Sequence, residues 1–187
     1  KDHQRYFPVV DDKNRLLPYF ITVRNGNDDH SDIVVKGNEK VLGARLEDAK
    51  FFYNEDISTP LEEYVEKLKY ITFQEKLGTL YDKTKRLQKL AVKIGQYLEV
   101  GEETEKNIDR ACYLSKADLV TKMVSEFTEL QGKMGMEYGN KSGENEIVSL
   151  AIFEQYLPRF SGDRLPTTTS GAILSITDKL DTIVGLF

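Results

Sequence analysis

A chain of 187 residues, 40% hydrophobic and 30% charged, is long enough to bury one full core or two small ones, which excludes a disordered polymer. A formal net charge of −5 excludes a protein coated all over in basic residues, but leaves room for a local basic patch.

Residues 6 to 23 read as a β-hairpin. The aromatic and β-branched runs RYFPVV and LLPYFITV flank the turn formers Asp11, Asp12, Lys13 and Asn14. Pro8 and Pro18 lack an N–H, so both strands are expected to be edges or bulged. Asn25 to Asp29 is a turn, and Asp32 to Val35 is expected to add a third short strand. From Gly37 and Asn38 the period becomes helical, with Val41, Leu42, Leu46, Ala49, Phe52 and Tyr53 recurring to about Asp56 and Asn38 as N-cap. Thr59, Pro60, Leu61 and Glu62 predict a capping box and a helix running through Leu77.

The next helix, about Thr79 to Leu98, has Leu87, Leu90, Ala91, Ile94 and Leu98 on its apolar face. Lys85, Arg86, Lys89 and Lys93 fall within about 100° on its other side, and Lys83 adds a fifth cation against one acid, Asp82. An acidic loop at Glu99 to Glu105 follows. Arg110 to Gly135 then reads as one long helical run around which the rest is organised, with a break expected near Ser115 to Asp118. Its stripe is Leu119, Val120, Met123, Val124, Phe127, Leu130 and Met134. Glu126, Glu129, Gln131 and Gly132 could make a polar cluster inside the bundle, but packing and hydrogen-bonding residues with no substrate are the more common case. Helices at about Glu144 to Leu157, stopped by Pro158, and at Thr168 to Phe187 complete the pattern. The expected fold is therefore mainly α (α+β): a small antiparallel β-hairpin element at 1–36, then a bundle of about six to eight helices at 37–187.

Motifs for catalysis are absent from the sequence. There is no GxxxxGK[ST], no GxGxxG after a strand and no GxSxG elbow. His3 and His30 have no Cys, His or carboxylate at ligand spacing, so surface or hydrogen-bonding roles are expected and no metal. Asp178 and Asp181 are spaced for acid–base work, but acids three apart on a helix are more often solvated or partners for lysine. The lone Cys112 fits a small core residue in a reducing compartment. No apolar run reaches the roughly 18 residues that cross a bilayer, and no signal peptide is visible, so a cytoplasmic location is expected. A start at Lys1 and a stop on an apolar helix at Phe187 read as an excised piece of something longer. The basic row is as compatible with the solvated side of an amphipathic helix as with phosphate contact.

Several stretches, in order, carry a resemblance over nearly the whole chain. HQRYFPV (3–9), LLPYFITVRN (16–25), GNEKVLGARLEDAKFFYNED (37–56), KLGTLYDKTKR (76–86), KADLVTKMVSEFTELQGKMGMEY (116–138) and DKLDTIVGLF (178–187) resemble the bacterial glycyl-tRNA synthetase beta subunit. The resemblance implies an inner piece of the beta subunit of a two-alpha, two-beta glycine-tRNA ligase, with a helical domain related to HD phosphohydrolases. Partners would be the alpha subunit and tRNA(Gly), with no membrane. ATP and Mg would be used by the alpha subunit, leaving no cofactor and no catalytic residue in this piece. At the four metal-holding positions of HD hydrolases the sequence has Lys83, Ser115, Lys116 and Asp178, so only the last is retained. A protonated ammonium has no lone pair for a metal, which argues against a metal-dependent HD phosphohydrolase. The expected role is noncatalytic tRNA contact and subunit docking. Lys83, Lys85, Arg86, Lys89, Lys93 and Lys116 are the candidates for the RNA backbone, with Arg110 and Lys122 weaker ones. The alternative is a structural spacer or alpha-subunit platform that never touches RNA.

Overall fold

The structure, a computed structural model, describes residues 6–27 and 29–187; His3 lies outside them. The chain separates into two compact units, Lys1–Ala44 and Arg45–Phe187. That divide lies inside a long helix, whereas the sequence pattern places the boundary between 36 and 37.

In the first unit, β1 (Phe7–Val10) and β2 (Leu16–Ile21) pair antiparallel, Phe7 opposite Ile21 and Val10 opposite Leu16. The register shifts between Pro8 and Val10, a bulge next to the residue that has no N–H to give. Asp11 makes the turn: its carboxylate accepts the Lys13 and Arg15 N–H groups, and Asn14 takes the left-handed φ of 59° that asparagine tolerates. The expected third strand at Asp32–Val35 does not form. These residues open α1 (Ser31–Asp56), whose N–H groups find partners along the helix; the Ile33 and Val34 N–H groups donate to the His30 carbonyl. Asn38 is consequently not an N-cap. It lies about two turns inside α1, donating to the Val34 carbonyl and accepting from the Tyr6 hydroxyl.

The second unit is helical. It begins with the C-terminal part of α1, followed by α2 (Leu61–Lys67) and a 3-10 turn at Leu68–Tyr70. The expected helix to Leu77 stops there: β3 (Thr72–Gln74) and β4 (Gly78–Thr79) form a small hairpin, with Gly78 at φ 81°. The β-branched Ile71 and Thr72 favour extension, and Gly78 supplies a conformation other residues avoid. The capping box expected at Thr59 is also not made; the Leu61 N–H is met instead by the Ser142 hydroxyl, 81 residues away, at 2.9 Å.

Next come α3 (Leu80–Tyr97) and α4 (Glu102–Leu114), so residues expected in an acidic loop start a helix. The long run after Arg110 is a chain of short pieces: a 3-10 turn at Ala117–Val120, α5 (Lys122–Glu126), another turn at Thr128–Leu130, and α6 (Lys133–Lys141). Two buried carboxylates hold the breaks open. Asp56 accepts the Lys122 and Met123 N–H groups, and Asp118 accepts those of Gly132 and Gly135. Gly132 has φ 77°, which no helix interior allows. The stripe still works as core: Met123, Val124 and Met134 are buried, and Leu119, Val120, Phe127 and Leu130 pack against them. Glu126, Glu129 and Gln131 are exposed, so no polar cluster forms within the bundle.

The last helices are α7 (Glu146–Glu154), capped by Asn145, and α8 (Thr169–Leu186), capped by Thr168. The core joins Leu61, Val65, Leu87, Ala91, Ile108, Ala111, Cys112, Ile152 and Leu174, so α3 and α4 meet α7 and α8 across one apolar interior. Among the described residues no helix is long and apolar enough to cross a membrane.

Candidate nucleic-acid interface

Helix α3 positions the candidate residues. Its start is fixed by a capping box: the Thr79 hydroxyl accepts the Asp82 N–H at 3.2 Å and the Asp82 carboxylate accepts the Thr79 N–H at 2.8 Å. Leu87 and Ala91 are fully buried and Gly95 is buried with them, which turns the basic residues to either side of the contact with the core.

One side faces α8. Lys83 is only 2% exposed; its Nζ is 3.0 Å from Asp178 Oδ1 and 3.0 Å from Asp181 Oδ2, and donates to Thr182 Oγ1 at 2.9 Å. Lys116, 5% exposed, reaches the other oxygen of Asp178 at 3.1 Å. Arg86 grips Asp181 through Nε at 2.7 Å and Nη2 at 3.1 Å, and gives Nη1 to the Leu77 carbonyl. Burial alone would raise Asp178, but the Lys116 and Lys83 ammonium groups outweigh it and hold its carboxyl below the usual range. Asp181 is likewise held low, against burial, by Arg86 and Lys83. The aromatic faces of Phe73 and Tyr156 lie 4.4 Å from the Lys83 Nζ and 4.9 Å from the Lys116 Nζ.

Of the four positions that the HD resemblance singles out, Lys83, Lys116 and Asp178 therefore converge. Ser115 is buried beside them with its hydroxyl donating to the Cys112 carbonyl at 2.9 Å. These residues do not fit a divalent metal. Two donors are ammonium groups without a free lone pair, and the two carboxylates are already neutralised. Among the described residues no group of three or more His, Cys, Asp or Glu side chains could hold such an ion.

The other side of α3 faces outward. Lys89 and Lys93 are exposed; Lys85 is half-buried, donating to Gln88 Oε1 at 3.1 Å with its Nζ 4.6 Å from the Tyr113 ring centre. Among the described residues no ion pair engages these three lysines. They line a shallow trough of about 510 Å³ together with Gln88, Val92, Gln96 and Asp109. Asp109 is the acid that borders the row, and it accepts from Gln88 Nε2 at 3.0 Å.

The six candidates thus divide: Lys89 and Lys93 stand in solvent with Lys85 behind them, whereas Lys83, Arg86 and Lys116 are tied into α8. Arg110 is clamped between Glu62 at 2.9 Å and Glu144 at 2.6 Å, which push its guanidinium upward, and Lys122 pairs with Glu55. The sequence leaves Asp181 open as an acid–base group or a partner for lysine, and the geometry assigns it the second role. Sequence reasoning missed the buried Asp118, whose carboxyl is pushed up to about 6 by burial, against the Gly132 N–H and Lys116. Its local signal is weak, because nothing in the spacing of Asp118 and Gly132 announces a contact.

The family model described as glycyl-tRNA synthetase beta subunit matches residues 1–187. The chain is 60% identical over its whole length to the glycine-tRNA ligase beta subunit of Clostridioides difficile, and 54% identical to that of Halothermothrix orenii. The Trichodesmium erythraeum protein of the same name is 51% identical over 99% of the chain. The chain spans 27% of the first two relatives' length and 26% of the third's.

Proposed function

The chain belongs to the glycyl-tRNA synthetase beta subunit family, and from that membership we propose that it is a noncatalytic segment of glycine-tRNA ligase that contacts tRNA(Gly) and docks subunits. The observation that carries the RNA role is the row Lys85, Lys89, Lys93, three cations on the outer side of α3 that no acid among the described residues pairs. On an otherwise acidic chain such a row holds a polyanion at one place while the remaining surface repels it. Lys83, Arg86 and Lys116 take a different part: they lock α8 to α3 and so keep the helix that displays the row in place. On this reading glycine, ATP and Mg are handled by the alpha subunit.

The test is charge reversal of Lys85, Lys89 and Lys93 in the full beta chain, assembled with its partner. Binding of tRNA(Gly) weakens, and the slope of log affinity against log salt flattens with each phosphate that is no longer neutralised. Unchanged binding in a folded, assembled variant removes the row from the interface.

A second reading, a subunit platform that never touches RNA, is favoured by the outer side of α8. Ile183 is 53% and Val184 75% exposed, and Val184 lines an apolar trough with Leu77, Leu90 and Leu180. Changing Ile183 and Val184 to Asp then costs capture of the alpha subunit and leaves tRNA affinity unaltered.

A further inference from the structure

The lysine row is part of a longer ridge. Tyr81, Lys85, Lys89, Lys93 and Tyr97 follow one another at every fourth residue of α3, so they form a single i, i+4 ridge with neighbours about 6 Å apart along the axis. Its two aromatic ends differ. The Tyr81 ring is already occupied, with Lys69 Nζ at 4.7 Å and Lys85 Nζ at 5.3 Å from its centre. The Tyr97 ring is 87% exposed, on the turn that follows Lys93. Exposure of a large aromatic at the end of a row of unpaired cations is the pairing of chemistries that holds unpaired nucleotides: cations for the phosphates, and a flat ring for one base. A duplex offers its phosphates to lysines but hides its base faces in the stack, so a ring at this place is useful only where a base has come free. The acid near the row acts in the same direction. Asp109 borders the trough beside Gln88, one turn before Val92, and repels a phosphate from that end, while no acid among the described residues lines the trough at Lys93.

We propose that the ridge ending at Tyr97 binds an unpaired segment of RNA, with phosphates on Lys89 and Lys93 and one base stacked on the Tyr97 ring. The proposal rests on the RNA reading given above and narrows it to single-stranded nucleotides. Because the Tyr97 side chain stands in solvent, replacing it leaves the fold intact, and a change in binding reports the ring itself.

The experiment uses the assembled ligase containing the full beta chain, with a short fluorescent single-stranded RNA and a blunt RNA duplex of equal length as probes, each titrated across a salt series. Tyr97→Ala weakens single-strand binding about fivefold or more with an unchanged salt slope, since a neutral ring releases no counterions. Tyr97→Phe retains binding, because the face is kept, and duplex binding responds to neither. The pair Lys89→Gln and Lys93→Gln weakens both probes and lowers the single-strand slope by about 0.7 per lysine. If the lysine changes act and Tyr97→Ala does not, the ridge holds phosphates alone and the single-strand proposal fails while RNA contact stands. If neither acts, the RNA reading and the proposal fail together. Loss of the alpha subunit from Tyr97→Ala, with RNA binding retained, overturns the proposal in favour of a protein contact.

Discussion

Two flanks of one helix carry the same kind of residue and do opposite things with it. On the flank of α3 towards α8, Lys83 and Arg86 are spent on Asp178 and Asp181, joined there by Lys116. On the outer flank Lys85, Lys89 and Lys93 keep their charge for something else. The difference shows that a helical projection identifies which cations share a helix but not which are free. That is decided by acids lying nearly a hundred positions away in the chain, and the buried cations become fasteners while the outer ones remain a surface.

The comparison can be broken most strongly at the fasteners. Asp178→Ala leaves the buried Lys116 ammonium without an acid while Lys83 keeps Asp181, and should lower stability by about 3–5 kcal/mol in urea unfolding. A loss below about 1 kcal/mol would mean that the buried cluster is not holding the helices.

A smaller effect comes from the seating of α8, on which the fasteners depend. Glu154 accepts the backbone and hydroxyl hydrogens of Thr167 and Thr168, and a Cβ at Gly171 would lie 2.1 Å from its Oε2. Gly171→Ala should therefore cost about 1–3 kcal/mol through overpacking against a buried carboxylate.

The buried Asp118 and the partly buried Asp178 sharpen the contrast through pH. Asp118, raised from 3.8 to about 6 in the folded state, holds more protons folded than unfolded, so its contribution to stability is full below 3.8 and is lost as pH rises through about 6. Asp178, held low, contributes above 3.8 and loses that contribution as pH falls through its depressed folded value. Unfolding measured at steps from pH 4 to 7 should show Asp118→Asn gaining on the parent as pH rises, and a constant difference would refute the assignment. The smallest change belongs to the outer flank: Lys89→Ala should alter stability by no more than about 0.5 kcal/mol, since the side chain stands in solvent.

How much of this could be read beforehand follows the reach of each interaction. The spacing of Leu87 and Ala91 and the cap at Thr168 are local, and the helices they mark appear where the sequence places them. The apolar stripe from Leu119 to Met134 correctly names core residues, but periodicity cannot see Asp56 and Asp118 interrupting the run by capturing its N–H groups. Thr59–Glu62 and Thr79–Asp82 both match the pattern of a capping box; only the second is formed, and the Thr59 N–H that Glu62 would accept goes to the Asp56 carbonyl instead. At the candidate interface the lysines are legible as a row. Their division into bound and unbound is not, since Asp178 and Asp181 announce an acidic helical face without saying which helix it meets.

The cluster around Asp178 has a practical corollary. A bundle whose far-apart helices were tied by a captured metal would depend on the cell's supply of that metal and would loosen in the presence of a chelator. Here the tie is made from amines and carboxylates of the polypeptide itself, complete as soon as the helices meet. EDTA should leave it untouched, whereas alkali should loosen it first at Lys116, whose ammonium is held below the usual lysine range by burial.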